Sequence, residues 1–141
     1  MHDTLREKLS RVDVRTVIAD APAWQAFKIA LHVHHSTEDD ILFPVLRHNL
    51  AATPDALALL EAMEAEHDAI KPLITTLDAA ALDPSTESTC LHELLDALTT
   101  GLLGHLKHEE DAALPLIARS LSTDQWTAFE QLHEWRLRRA C

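Results

Sequence analysis

Two stretches of this chain repeat one thirteen-residue pattern. HHSTEDDILFPVL at residues 34–46 lies over HLKHEEDAALPLI at 105–117, a constant shift of 71 (105 − 34). The shared pattern is H-x-x-x-E-[DE]-D-x-x-x-P. It aligns His34 with His105, Glu38 with Glu109, Asp39 with Glu110, Asp40 with Asp111, and Pro44 with Pro115. A second pair, HDTLR at 2–6 and HDAIK at 67–71, is related by a shift of 65 (67 − 2). It aligns His2 with His67, Asp3 with Asp68, and Arg6 with Lys71. The two pairs alternate along the chain, so the chain reads as two related hairpins. Packed together, they would carry an approximate two-fold axis.

The hairpin arms read as helices. Leu and Ala dominate the composition and favour helix over strand, and Gly occurs only twice. A first helix, with Leu5, Leu9 and Val12 at helical spacing, starts at or near the N-terminus. Asp20 as cap and Pro22 in the first turn start a second, running through Trp24, Phe27 and Leu31 to about Leu46. Thr53 as cap and Pro54 at the first position start a third, to about Ala79. Pro72 falls inside it and is expected to kink or interrupt it. LDPSTES breaks the chain before a fourth helix from about Thr86 to Ala118. Ser122 and Gln125 have capping-box spacing and open a short fifth helix, about 122–139, with Trp126, Phe129 and Leu132 on its buried face. The expected fold is all-α: one domain over 1–141, an up-down-up-down four-helix bundle over about 2–119, and a short C-terminal helix.

Charge and composition exclude several functions. The formal charge is −11, so no basic face is expected to hold nucleic acid or an anionic membrane. The two cysteines, Cys90 and Cys141, form no CxxC pair. The start, MHDTLREKLS, has no apolar signal region, and no stretch is long enough to span a membrane. A cytoplasmic protein is the expectation. Ten histidines are the one unusual count.

The repeat sorts these histidines. His32, His35 and His108 face Leu103, Leu106 and Thr37 in the overlay and have no counterpart. His35 therefore reads as a bystander, and the pair His35–Asp39 is set aside. His2, His34, His67 and His105 recur, as do Glu38 and Glu109. Residues four apart lie about 40° apart on a helix, so each HxxxE pair shares a face. If all six residues face inward at one depth, they form a mixed nitrogen–oxygen site in the bundle core. Bundle cores hold metal pairs on such side chains. Two bridging glutamates and two imidazoles per ion leave about two positions of an octahedron open. Without cysteine ligands, iron or manganese suits this set better than structural zinc. The competing reading is a duplicated hairpin whose polar positions face water.

The neighbouring residues admit two readings as well. Arg6 and Lys71 would pair with Asp39 and Glu110 behind the site, or make ordinary surface pairs. Gly101, four before His105, would open room for a small ligand or allow close helix packing. Each helical glycine costs about 1 kcal/mol relative to Ala.

A single His, then HxxxE before LFP, then a single His, then HxxxE, resembles the hemerythrin-like, or HHE cation-binding, family. The resemblance covers roughly residues 2–118. It implies a four-helix bundle around a non-haem di-iron centre (Fe2+/Fe3+) bridged by two carboxylates and an oxo or hydroxo group. By position the ligands would be His2, His34, Glu38, His67, His105 and Glu109. The family includes proteins that carry O2, sense oxygen or iron, or react with peroxide or NO. Oxygen carriers have HxxxH on the third helix, where this chain has Lys71, and HxxxxD on the fourth, where it has HxxxE. That departure implies open positions on the irons. It resembles actinobacterial hemerythrin-like proteins and their peroxide decomposition more than reversible O2 carriage. His2 stands in a first helical turn, where backbone N–H groups lack partners.

Overall fold

The computed structural model describes residues 2–140. Among them every regular element is helical: α1 (His2–Ser10), α2 (Val14–Ile18), α3 (Pro22–Thr37), α4 (Phe43–Asn49), α5 (Pro54–Leu82), α6 (Ser88–His108), α7 (Leu114–Ser120) and α8 (Thr123–Ala140). A π-helical turn, Glu38–Leu42, joins α3 to α4, and another, Glu109–Ala113, joins α6 to α7.

Two apolar clusters sandwich a polar layer and set the topology. The first gathers Leu5, Leu9, Trp24, Phe27, Leu31, Ile70, Leu77, Leu98 and Leu102. The second gathers Leu42, Phe43, Leu46, Leu60, Met63, Ala113, Ile117 and Phe129. Going along α3 into α4, the chain passes the first cluster, then His34 and Glu38, then the second. Along α5 the order reverses, and along α6 and α7 it reverses again. α1 runs from His2 into the first cluster. The arms therefore alternate in direction, the up-down-up-down arrangement expected. Burying such a cluster supplies roughly 1.5–3 kcal/mol per large apolar side chain. Trp24 is fully buried, and its indole Nε1 donates to Asp78 Oδ1 at 2.8 Å, tying α3 to α5.

Several local expectations need correction. α1 stops at Ser10, so Val12 lies outside it. The separate helix α2 was not expected. It starts at a reciprocal capping box, with Thr16 N–H donating to Asp13 Oδ1 and Asp13 N–H to Thr16 Oγ1, both at 2.9 Å. Ala21, not Asp20, caps α3; Asp20 sits at φ 47°, where the chain turns. Thr53 occupies the cap of α5 but its side chain makes no capping bond. The Ser122–Gln125 capping box is present, at 3.0 and 3.1 Å. The fifth helix, α8, has 18 residues and is not short. Of its expected face only Phe129 is buried; Trp126 and Leu132 are half-buried, and His133 is buried instead.

Pro72 does not interrupt α5, which runs unbroken through it. Pro72 and Asp68, whose carbonyl loses its donor, are both exposed, so water can satisfy the freed group. Pro44 and Pro115 act where Pro72 does not. Each sits in the first turn of the helix after a π turn, and the wider turns close with Phe43 N–H to Glu38 O and Leu114 N–H to Glu109 O.

The π turns explain a spacing visible in both repeats. His34, Glu38, Leu42 and Leu46 are all buried, as are His105, Glu109, Ala113 and Ile117. Three steps of four residues would carry the last of each set about 120° from the first in a straight helix. A turn bonded five residues apart unwinds most of that drift and keeps all four inward.

No described helix is long and apolar enough to cross a membrane. Because α5 tolerates Pro72 only through solvent, Pro72→Ala should stabilise the fold by about 1–3 kcal/mol. Chemical denaturation measures this, and an unchanged or lowered midpoint would contradict the account of α5.

Candidate metal centre

The polar layer contains all six recurring residues. His34, Glu38, His67, His105 and Glu109 are buried, and His2 is half-buried at the start of α1. α3 and its π turn supply His34 and Glu38, α6 and its π turn supply His105 and Glu109, α5 supplies His67, and α1 supplies His2.

The donor atoms divide into two sets. Glu38, His67, His105 and Glu109 each offer an atom within 4.8 Å of the others, and so do His2, His34 and Glu109. Glu109 belongs to both. Its Oε1 is 3.3 Å from His2 Nε2 and its Oε2 is 3.2 Å from His105 Nε2. Glu38 also reaches both sides, its Oε1 being 3.0 Å from His34 Nε2 and 3.5 Å from His67 Nε2. His67 Nε2 and His105 Nε2 are 3.0 Å apart. Each glutamate thus contacts one imidazole of each pair, Glu109 through both of its oxygens and Glu38 through Oε1 alone.

Carboxylates hold three of the imidazoles from behind. His2 Nδ1 meets Glu110 Oε1 at 3.0 Å, His67 Nδ1 meets Asp39 Oδ1 at 2.8 Å, and His105 Nδ1 meets Glu66 Oε1 at 2.9 Å. A carboxylate on Nδ1 turns the ring so that Nε2 faces the centre, the arrangement found behind metal-bound histidines. Glu110 and Asp39 align in the repeat, so two of these supports are symmetric. Arg6 Nη1 donates to Glu110 Oε1 at 2.6 Å and completes the first, the supporting one of its two readings. Lys71 does not complete the second. It lies on the exposed side of α5 with its Nζ 3.5 Å from Asp68.

Glu66 and His133 were missed. Glu66 bridges to His108 as well, Oε2 to Nδ1 at 2.7 Å, so an unrepeated histidine helps to place a repeated one. Under the shift of 65, Glu66 aligns with Met1, which carries no carboxylate. His34 Nδ1 correspondingly has no partner among the described residues, and the His133 ring of α8 packs edge-on against His34 at 5.6 Å. The repeat carries no signal for either residue, since Glu66 has no carboxylate counterpart and α8 lies outside the repeat. His35, read as a bystander, is buried in the layer with its ring stacked on His67. His32 is exposed, as expected. Gly101 is exposed too, and a Cβ there would meet only Leu73, so it opens no room beside the site.

Burial and proximity shift these groups strongly. Desolvation pushes His34 down to about 3 and lowers His35 further. His2, His67 and His105 are also desolvated, but their carboxylate partners outweigh burial and raise them. Desolvation and a hydrogen bond to Glu109 raise Glu38 well above the carboxylate range. Glu109 is desolvated too, yet hydrogen bonds from Glu38, His105 and His2 bring it down. Proximity therefore pushes the two glutamates in opposite directions, Glu38 toward its neutral form and Glu109 toward its charged form. Buried polar atoms without hydrogen bonds remain at the centre: both His34 ring nitrogens, Glu38 Oε1 and Glu109 Oε2. Such atoms cost about 1–3 kcal/mol each when left unsatisfied. Cations at the centre would satisfy His34 Nε2, Glu38 Oε1 and Glu109 Oε2, and the imidazole–carboxylate donor set fits iron.

A cleft of about 320 Å³ opens onto this layer from one side, with His2, Glu38 and Glu109 at its polar end. Leu42, Leu114, Ile117, Trp126 and Phe129 form its apolar wall, the last two from α8.

The hemerythrin HHE cation binding domain model matches residues 1–117. Neither a curated protein nor a solved structure matches the chain. The matched stretch contains the whole bundle, both HxxxE repeats and all six converging residues, and a domain of this kind binds metal cations. The chain belongs to the hemerythrin HHE cation-binding family.

Proposed function

We propose that the protein binds a pair of iron ions with an oxo or hydroxo bridge and reacts there with a small oxidant, O2, peroxide or NO, peroxide decomposition being the favoured activity. The observation that carries this is the division of donor atoms into two sets that share Glu109, with Glu38 reaching both imidazole pairs. His2 and His34 would hold one ion, His67 and His105 the other, and the two glutamates would bridge. When bound, the iron pair supplies the electrons and Lewis acidity that these side chains lack. The chain's own residues position it: Glu110, Asp39 and Glu66 fix the ring orientations, and the two apolar clusters keep bulk water away. The cleft brings small molecules to the His2 end. Its volume is roughly ten times one water's share of the liquid, and its apolar wall suits uncharged diatomics and peroxide.

Three measurements test this. Reconstituted protein should hold an iron pair per chain, show a visible charge-transfer band that azide shifts, and evolve O2 from peroxide. Absence of bound iron and of any band after reconstitution would sink the reading. Iron with an azide-sensitive band but no turnover would leave a binding or sensing module.

Metal uptake should depend on pH in one direction. The proton on the Glu38–Glu109 pair, and those favoured on the raised His2, His67 and His105, must leave before their atoms take a cation. Iron affinity should therefore rise as pH climbs above the ordinary imidazole value of about 6.5, with protons released on loading. Calorimetry in buffers of different ionisation enthalpy reads that release; a pH-independent affinity would be the contrary result.

Leu114→Trp should fill the cleft without touching a donor residue. Azide binding should slow by about tenfold, equivalent to about 1.4 kcal/mol in the barrier, at unchanged iron content. Stopped-flow rates equal to those of the parent protein would show that small molecules enter elsewhere.

A further inference from the structure

Two buried imidazoles, His35 and His133, lie outside the six-residue set, and only His35 converges with members of it. His35 is 3% exposed, and its Nε2 has no hydrogen-bond partner among the described residues. Its ring stacks on His67, with centroids 3.8 Å apart and planes 14° apart, and meets His105 edge-on at 5.4 Å. His35, His67 and His105 each offer a ring nitrogen within 4.8 Å of the other two. The residue aligned with His35 in the second half is Leu106, fully buried. One half of the bundle thus keeps an imidazole where the other keeps a hydrocarbon. An apolar residue there would avoid the cost of an unpaired buried nitrogen.

We propose that His35 is a seventh metal ligand, giving the ion on the His67–His105 side a third imidazole. The assignment rests on the iron-pair reading above. That ion would have five protein donors, His35, His67, His105 and the two shared glutamates. The other would have four, His2, His34 and the same glutamates. His133 does not restore the balance, since it joins none of the groups of converging donor atoms. Small ligands are then directed to the His2–His34 side. The position of the apolar cleft agrees independently: its lining includes His2, Glu38 and Glu109 but none of His35, His67 or His105.

Ligation requires the His35 ring to turn out of its stack on His67. The imidazole torsion beyond Cβ is broad rather than three-fold, so the turn meets little intrinsic resistance. A second cleft, about 290 Å³, is lined by His35, Ser36, Asp39, Ile70 and Lys71 and gives the ring room to move.

The full chain loaded with 57Fe tests the assignment by Mössbauer spectroscopy. The parent protein should give two quadrupole doublets of equal area, because the irons have unequal donor sets. A single doublet would overturn the proposal without recourse to any variant. His35→Phe keeps a ring against His67 and removes the nitrogen. It should move one doublet, leave the other, and allow a second azide to bind per iron pair. Retained iron with both doublets and a single azide unchanged would show that His35 only packs. His35→Gln, smaller and polar, serves the same comparison if the Phe variant does not fold, with circular dichroism reporting helix content. Parent protein that takes up no iron pair overturns the function proposed above and this assignment with it. A pair indifferent to His35 overturns this assignment alone.

Discussion

Two carboxylates and five imidazoles, His35 among them and His2 half-buried, occupy one polar layer in this bundle, with an apolar cluster on each side. Desolvating such groups is costly, and two glutamates in contact cannot both ionise without a compensating charge. The surrounding structure answers that cost from outside and from within. From outside, Glu110, Asp39 and Glu66 hold three Nδ1 atoms. From within, the opposed shifts of Glu38 and Glu109 keep the pair from carrying two uncompensated charges, a role cations would also fill. The layer separates the two clusters, so the helices cannot slide past one another without moving a polar residue into a hydrocarbon core. The polar layer therefore sets the register of the bundle as well as its chemistry.

The two π turns belong to the same constraint. A straight helix cannot present four inward residues at steps of four. Both halves need that spacing, because His and Glu must share a face and the following apolar residues must still reach the second cluster. Pro44 and Pro115 lie in the turn after each widening, where a missing N–H weakens regular pairing. Pro72 has no such effect, since α5 carries one inward histidine and no HxxxE pair. The same residue type thus perturbs the backbone where the side-chain pattern asks for it, and otherwise yields to solvent.

The two-fold relation between the hairpins is incomplete, and its breaks coincide with distinct features of the two sides. Glu66 has no carboxylate counterpart, and behind His34 stands His133 of α8. His35 faces Leu106 across the repeat. Lys71 occupies the position of Arg6 without reaching a supporting acid. The cleft that reaches His2, Glu38 and Glu109 is walled by Trp126 and Phe129 of α8, whereas a separate cleft reaches His35 and Asp39 on the other side. A helix outside the repeat therefore helps to distinguish two otherwise similar halves.

The helical class, the alternation of arms, the capping box at Ser122 and the six converging residues were all legible in the chain, because each rests on local spacing or on a repeat that aligns inward positions. The pairing of Arg6 with Glu110 was left open between a support and a surface pair, and only the fold decided it. The sequence could not reveal which way an unrepeated side chain turns. His35, Glu66 and His133 have no counterpart to vouch for them, and their burial depends on neighbours contributed by other helices. Lys71 looked equivalent to Arg6, yet α5 turns it to solvent. Gly101 shares a helical spacing with His105 but faces outward beside Leu73. The sequence alone determined which residues recur, and so which six could share one layer; recurring Asp3, Asp68, Asp40 and Asp111 face solvent instead. Only the tertiary structure decided which imidazoles meet which carboxylates and on which side the site opens, because those contacts join residues far apart in the chain.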